Sequence, residues 1–76
     1  MKLCDIMYVL NDKVSVDFYV CGEILSFVFS GKKQKFLETI HYRAFQTNRV
    51  VNFNLTGDWM NGYTVQITCM AGMKES

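Results

Sequence analysis

Between Ser30 and Thr56 the spacing of apolar residues switches from one period to another, and this switch limits the folds open to the chain more than any other feature. Along SGKKQKFLETIHYRAFQTNRVVNFNLT, Leu37, Ile40, Ala44 and Phe45 recur at the three-and-four spacing of one helical face, and Phe36 widens that stripe. Val51, Phe53 and Leu55 then alternate with Asn52, Asn54 and Thr56, the period of a half-buried strand. The flanking segments read as strands. The pattern therefore predicts one helix, over Lys32 to Thr47, laid across a sheet.

Leu3 to Leu10 is apolar on both faces apart from Asp5, which predicts a first strand inside a small barrel or between two layers. Asn11 and Asp12 suit a hairpin turn. In the second strand Val14, Val16, Phe18 and Val20 face one way, and Lys13, Ser15, Asp17 and Tyr19 face the other. Cys21 and Gly22 make the next turn, and Glu23 to Phe29 is a third strand with Leu25, Phe27 and Phe29 on one face. Ser30 is the predicted helix cap, and Asn48 the residue that ends the helix in the left-handed conformation. Strand four is followed by the loop GDWMNG, and strand five turns Tyr63, Val65, Ile67 and Cys69 inward and Thr64, Gln66 and Thr68 outward. Gly72 to Ser76 are expected to fray.

The order β-β-β-α-β-β predicts an α+β fold: a five-stranded antiparallel sheet or OB-like barrel with one helix. Its expected core is Val14, Val16, Phe18, Leu25, Phe27, Leu37, Ile40, Ala44, Val51, Phe53, Leu55, Val65 and Ile67. Seventy-six residues hold a single such core and hence a single domain, residues 1–76. Half of the residues are apolar, and there is no proline.

A formal charge of +1 argues against a protein whose main work is to grip a phosphate backbone. Asp5 interrupts the apolar run at the start, MKLCDIMYVLND, so the sequence reads as cytoplasmic, or as secreted if a leader has been removed. No apolar run reaches the roughly 20 residues that cross a bilayer. Cys4, Cys21 and Cys69 are odd in number and include no CxxC pair, which favours free thiols over a disulfide framework.

Catalytic chemistry finds no support in the spacing. His41 and the three cysteines are the right ligand types for one zinc ion, but they are scattered singly instead of standing in close pairs, and no base or orienting group stands beside a nucleophile. The sequence predicts no enzyme, cofactor or metal. It does contain groups suited to binding. Trp59, the single tryptophan, stands with Asp58 and Met60 in a glycine-bounded loop, either exposed as an interface anchor or folded back to close one end of the barrel. Lys32, Lys33 and Lys35, with Arg43 and Arg49, form a basic cluster, and Tyr8, Tyr19 and Tyr42 are available to stack beside it. Asn52, Asn54, Thr64, Gln66 and Thr68 make an uncharged ladder able to hydrogen-bond a sugar, a peptide edge or another subunit. Asn54-Leu55-Thr56 also matches the glycosylation sequon.

In length, in the Cys near its start, in NDK at the first turn, in a helix feeding an alternating strand and in a Trp near its end, the chain resembles the OB-fold B subunits of AB5 toxins. That resemblance implies a secreted homopentamer binding cell-surface glycans, with a disulfide from Cys4; no family binding residue carries over. In composition the chain also resembles small accessory proteins of phages and mobile elements, which block a host protein through a strand edge or an exposed aromatic. The expected function is non-enzymatic binding of a protein partner, with self-association through open strand edges. Glycan binding is the first alternative and nucleic-acid binding the second.

Overall fold

A computed structural model describes residues 1–71. The elements are α1 (Leu3–Val9), β1 (Ser15–Cys21), β2 (Leu25–Lys32), α2 (Lys33–Leu37), α3 (Ile40–Phe45), β3 (Val50–Asp58) and β4 (Gly62–Met70). The strands form one mixed sheet in the order β2-β1-β4-β3. Two antiparallel hairpins, β1–β2 and β3–β4, are joined by a parallel pairing of β1 with β4 at the centre. The expected five-stranded antiparallel sheet or barrel with one helix is thus replaced by an open four-stranded mixed sheet with three short helices. The expected fraying of Gly72 to Ser76 lies outside the described residues.

The missing strand is α1. Leu3, Ile6 and Met7 are buried and Leu10 packs against the same cluster, so the stretch read as apolar on both faces has the i, i+3, i+4, i+7 spacing of a helix. Asp5 sits in the first turn, where its carboxylate accepts the Lys2 amide at 3.3 Å and meets the positive end of the helix. The far end of α1 has no basic residue of its own. Lys33 supplies the charge: its ammonium donates to the Leu10 carbonyl at 2.7 Å and pairs with Asp12 at 3.2 Å. Asn11 and Asp12 therefore turn the chain from a helix into β1, with the Lys13 amide donating to Asn11 Oδ1 at 2.8 Å, and make no hairpin.

The predicted single helix breaks at Thr39. Its hydroxyl donates to the Phe36 carbonyl at 2.7 Å and accepts from the Tyr42 amide at 3.1 Å, closing α2 and capping α3 with one oxygen. The break resets the helical phase. Phe36 is fully buried, Tyr42 and Phe45 pack against the core, and Ile40 is 76% exposed, with Leu37 and Ala44 also outside. Ser30 caps nothing; it lies in β2 and donates to Asp17 at 2.8 Å. No residue other than glycine has a positive φ among those described, so Asn48 is not a left-handed terminator. It is buried, and its side-chain amide donates to the Met70 carbonyl at 2.8 Å, tying the end of the helical segment to β4.

The core fills the space between the helices and one face of the sheet. Leu3, Ile6, Met7, Val14, Val16, Phe18, Phe36, Val65, Ile67 and Cys69 form it, with Phe36 ring-to-ring against Phe18 (5.1 Å), Phe29 (5.2 Å) and Tyr42 (5.5 Å). Two bulges and the limited reach of the helices explain why half of the expected strand core is absent. Phe18 pairs with Phe29 but Tyr19 pairs with Phe27, leaving Val28 as an extra residue in β2. Beyond this bulge Phe27 and Leu25 turn to the outer face, where both are exposed and Phe27 meets the Tyr19 ring edge-on. In β3 the bulge falls at Val51. Phe53 and Leu55 do lie on the core side, opposite Ile67 and Val65, but they stand at the sheet edge where the helices do not reach and remain 47% and 52% exposed.

Candidate functional site

Nine-residue strands β3 and β4 carry their turn to one end of a molecule 41 Å long. Asp58 organises that turn. Its carboxylate accepts from the amides of Met60 (3.0 Å) and Asn61 (2.7 Å) and from the Asn61 side chain (3.3 Å). Gly57 and Gly62, both at positive φ, flank it. Held between them, Trp59 is 82% exposed and Met60 nearly as bare. Side chain and backbone thus fix the turn while its two largest residues point away from the core.

The register places the other sequence-predicted groups around this tip. Lys32, Ser15, Thr64 and Thr56 lie in one row across the sheet. Lys32 therefore sits toward the same end as Trp59 but on the opposite edge, three strand spacings or about 14 Å from Thr56, whereas Arg49 precedes β3 at the far end of that strand. Lys32, Lys35, Arg43 and Arg49 are exposed, whereas Lys33 is buried in the contacts that cap α1 and is not part of an open basic surface. Asn52, Asn54 and Thr56 stand directly opposite Thr68, Gln66 and Thr64, which brings the uncharged ladder together on the outer face, although Thr68 is buried there at 8% exposure and Gln66 and Thr64 are half-buried. Of the predicted stacking tyrosines, Tyr8 is exposed on α1, while Tyr19 and Tyr42 are half-buried in aromatic contacts.

Two grooves are not legible in the sequence pattern, since both use α1, where the pattern predicts a strand. One, of about 370 Å³, is almost wholly apolar and runs between α1 and β3, lined by Met1, Ile6, Val9, Val50, Val51 and Phe53 with Asn52. The signal that could have found it is the helical spacing of Leu3, Ile6, Met7 and Leu10. The other, of about 520 Å³, lies between α1 and the α2–α3 segment and includes Cys4, Asp5, Lys33 and Tyr42. Its polar groups do not assemble a reactive pair: Lys33 is committed to Asp12 and Leu10, and the Cys4 thiol lies 4.0 Å from the Asp5 carboxylate. His41 is exposed on α3. Among the described residues, no three His, Cys, Asp or Glu side chains gather closely enough to hold a metal ion, and no helix is long and apolar enough to cross a membrane.

All three cysteines are free, with Cys69 buried and Cys4 and Cys21 half-buried. Burial pushes the Cys69 thiol up from 9.0 to about 11, and burial followed by the charge of Cys4 raises Tyr42 as well. The unfolded chain gives up these protons first, so the Cys69 thiol's contribution to stability is fully present below about pH 9 and is lost as pH rises through about 11. Urea denaturation at pH 7, 9 and 11 is expected to follow this decline, and Cys69→Ala to flatten it. A constant stability through pH 11 would count against the buried thiol. No protein-family profile, curated protein or solved structure matches the chain, so its likeness to toxin B subunits and to phage accessory proteins rests on the sequence alone.

Proposed function

We propose that this chain is a small non-enzymatic binding protein, of the accessory or inhibitor kind, that docks a protein partner at the β3–β4 turn. The observation that carries the reading is the exposure of Trp59 on a turn already fixed by Asp58. A large aromatic held ready in this way buries extensive area on docking while losing little conformational freedom, the property that makes tryptophan common among dominant interface residues. Met60 beside it adds a flexible apolar contact. Lys32 and Lys35 at the same end favour a partner with an acidic rim, and the ladder of Asn52 and Asn54 offers uncharged hydrogen bonds along the outer face.

Affinity capture with the wild-type chain and with Trp59→Ala as parallel baits tests the proposal. The substitution is expected to weaken the retained complex by about 2 kcal/mol or more, roughly thirtyfold, while the melting temperature stays within a degree or two. Equal capture by both baits would remove Trp59 from the interface. A sharp fall in melting temperature would make it a structural residue instead. A pentamer on sizing together with glycan-array hits would put the glycan-binding reading first, and steeply salt-dependent retention on nucleic acid would do the same for the remaining alternative.

A further inference from the structure

The open edge of β3 has the length, apolar flank and charge layout of a surface that pairs with itself. Its beginning is already occupied: the Val50 amide donates to the Met1 carbonyl at 2.8 Å, the Leu3 amide donates to the Asn48 carbonyl at 3.1 Å, and Lys2 bridges Arg49. Among the described residues, no strand lies alongside beyond Val50. The Met70 amide donates to the Arg49 carbonyl at 3.0 Å, so the even-numbered residues of β4 turn their backbone groups toward β3. Their partners Asn52, Asn54 and Thr56 turn theirs back, and Phe53, Leu55 and Gly57 direct N–H and C=O to the outside. This free segment has no proline and no charge between Val51 and Gly57. The usual protections of an edge strand are therefore lacking.

We infer that two copies of this chain pair antiparallel through β3, about a two-fold axis at Asn54, to form one eight-stranded sheet. This register uses the whole free edge without meeting the N-terminal bridge. It sets Phe53 of each copy opposite Leu55 of the other, both with outward backbone groups, and so makes four new backbone hydrogen bonds. Charge favours the same direction. Lys2 and Arg49 flank the start of the edge and Asp58 ends it, so antiparallel alignment brings each cationic end beside the anionic end of the other copy.

Area favours it as well. Met1, Val9, Val51, Phe53 and Leu55, all about half to three-quarters exposed, leave on the order of 500 Å² of apolar surface along this edge and the adjoining groove. Covering it on two copies buries on the order of 1,000 Å² before the backbone is counted, the lower bound of a specific interface. The two grooves between α1 and β3 would meet across the axis. Trp59 lies past the paired segment, so pairing leaves the tip open, while Asn52 and Asn54 on the outer face belong to both this surface and the partner site proposed above.

Sedimentation velocity across a range of concentrations, with two variants, tests the inference. The wild type is expected to dimerise reversibly, and Leu55→Lys, which places a charge against Phe53 of the other copy on a position already half-exposed, to raise the dimer dissociation constant at least about tenfold with an unchanged circular dichroism spectrum. Asn54→Cys is expected to form a covalent dimer under mild oxidation, because a non-hydrogen-bonded antiparallel pair sets the two Cα atoms about 4.5 Å apart, within disulfide reach. The wild type, with its own three cysteines, is the control. A chain that stays monomeric at high concentration overturns the inference. So does a dimer or larger ring that survives Leu55→Lys while Asn54→Cys fails to cross-link.

Discussion

Phe36→Ala is expected to cost about 3–5 kcal/mol, enough to unfold a domain of this size, because the ring is fully buried at the meeting point of α2, β1, β2 and α3. Its three aromatic neighbours are held in different elements, so the cavity cannot close by the movement of one side chain. Phe53→Ala, which the strand pattern alone ranks as an equally severe change, is expected to cost about 1 kcal/mol at concentrations low enough to keep the chain monomeric. Phe53 faces the core side but keeps nearly half of its surface in water, so far less contact is lost. Urea denaturation of the two variants side by side measures the difference. Comparable losses would mean that the edge of β3 is covered in solution, by a second copy or by another partner.

The contrast between these two phenylalanines marks what was legible in the sequence. Strict alternation in Val14–Val20 and in Tyr63–Cys69 located β1 and β4 and their buried faces, because a period of two has one interpretation when polar and apolar residues take turns. The parallel pairing of those strands was not legible, since alternation says which face is buried and nothing of which strand lies alongside. The apolar run at Leu3–Leu10 is short enough to satisfy strand and helix patterns together, and the strand pattern hides α1 and with it both grooves. Bulges are invisible to periodicity. One extra residue at Val28 turned Leu25 and Phe27 outward, while the single hydroxyl of Thr39 divided a helix whose apolar stripe looked continuous.

The positions of the candidate binding residues were legible where they depended on a local pattern and hidden where they depended on packing. The glycine-bounded loop left Trp59 either at an exposed tip or folded back on the core, and the structure exposes it, while alternation put Asn52 and Asn54 on the uncovered face. Lys33 was grouped with Lys32 and Lys35 by adjacency, yet at 6% exposure it is the counter-charge that ends α1. A run of lysines in sequence can thus divide between surface and interior once one of them opens a helix beside a carboxylate from another turn.

Gly57 is where the structure of the tip and its proposed role depend on one residue. Its φ of 109° lies outside the range that residues with side chains adopt readily, and a Cβ added there would overlap the carbonyl oxygen of Gly62, which belongs to the backbone of the facing strand and has no flexible end to swing aside. Gly57→Ala must therefore push the two strands apart at the point where they enter the Asp58 turn. Gly62→Ala, at φ 88° but with open space around the added carbon, pays only the backbone strain. The first change is expected to cost about 2–4 kcal/mol and the second about 1 kcal/mol. Because the strain falls on the end of the hairpin and the core lies under its other half, Gly57→Ala is also expected to release the amides of Met60 and Asn61 from Asp58, read as faster hydrogen exchange there while the amides of Val65 and Ile67 keep their relative protection. If the turn serves as a rigid mount for Trp59, the same variant weakens partner capture although every side chain of the tip is intact. Unchanged exchange at Met60 and Asn61 would show that the turn tolerates a side chain at residue 57, and the argument from its rigidity would fail.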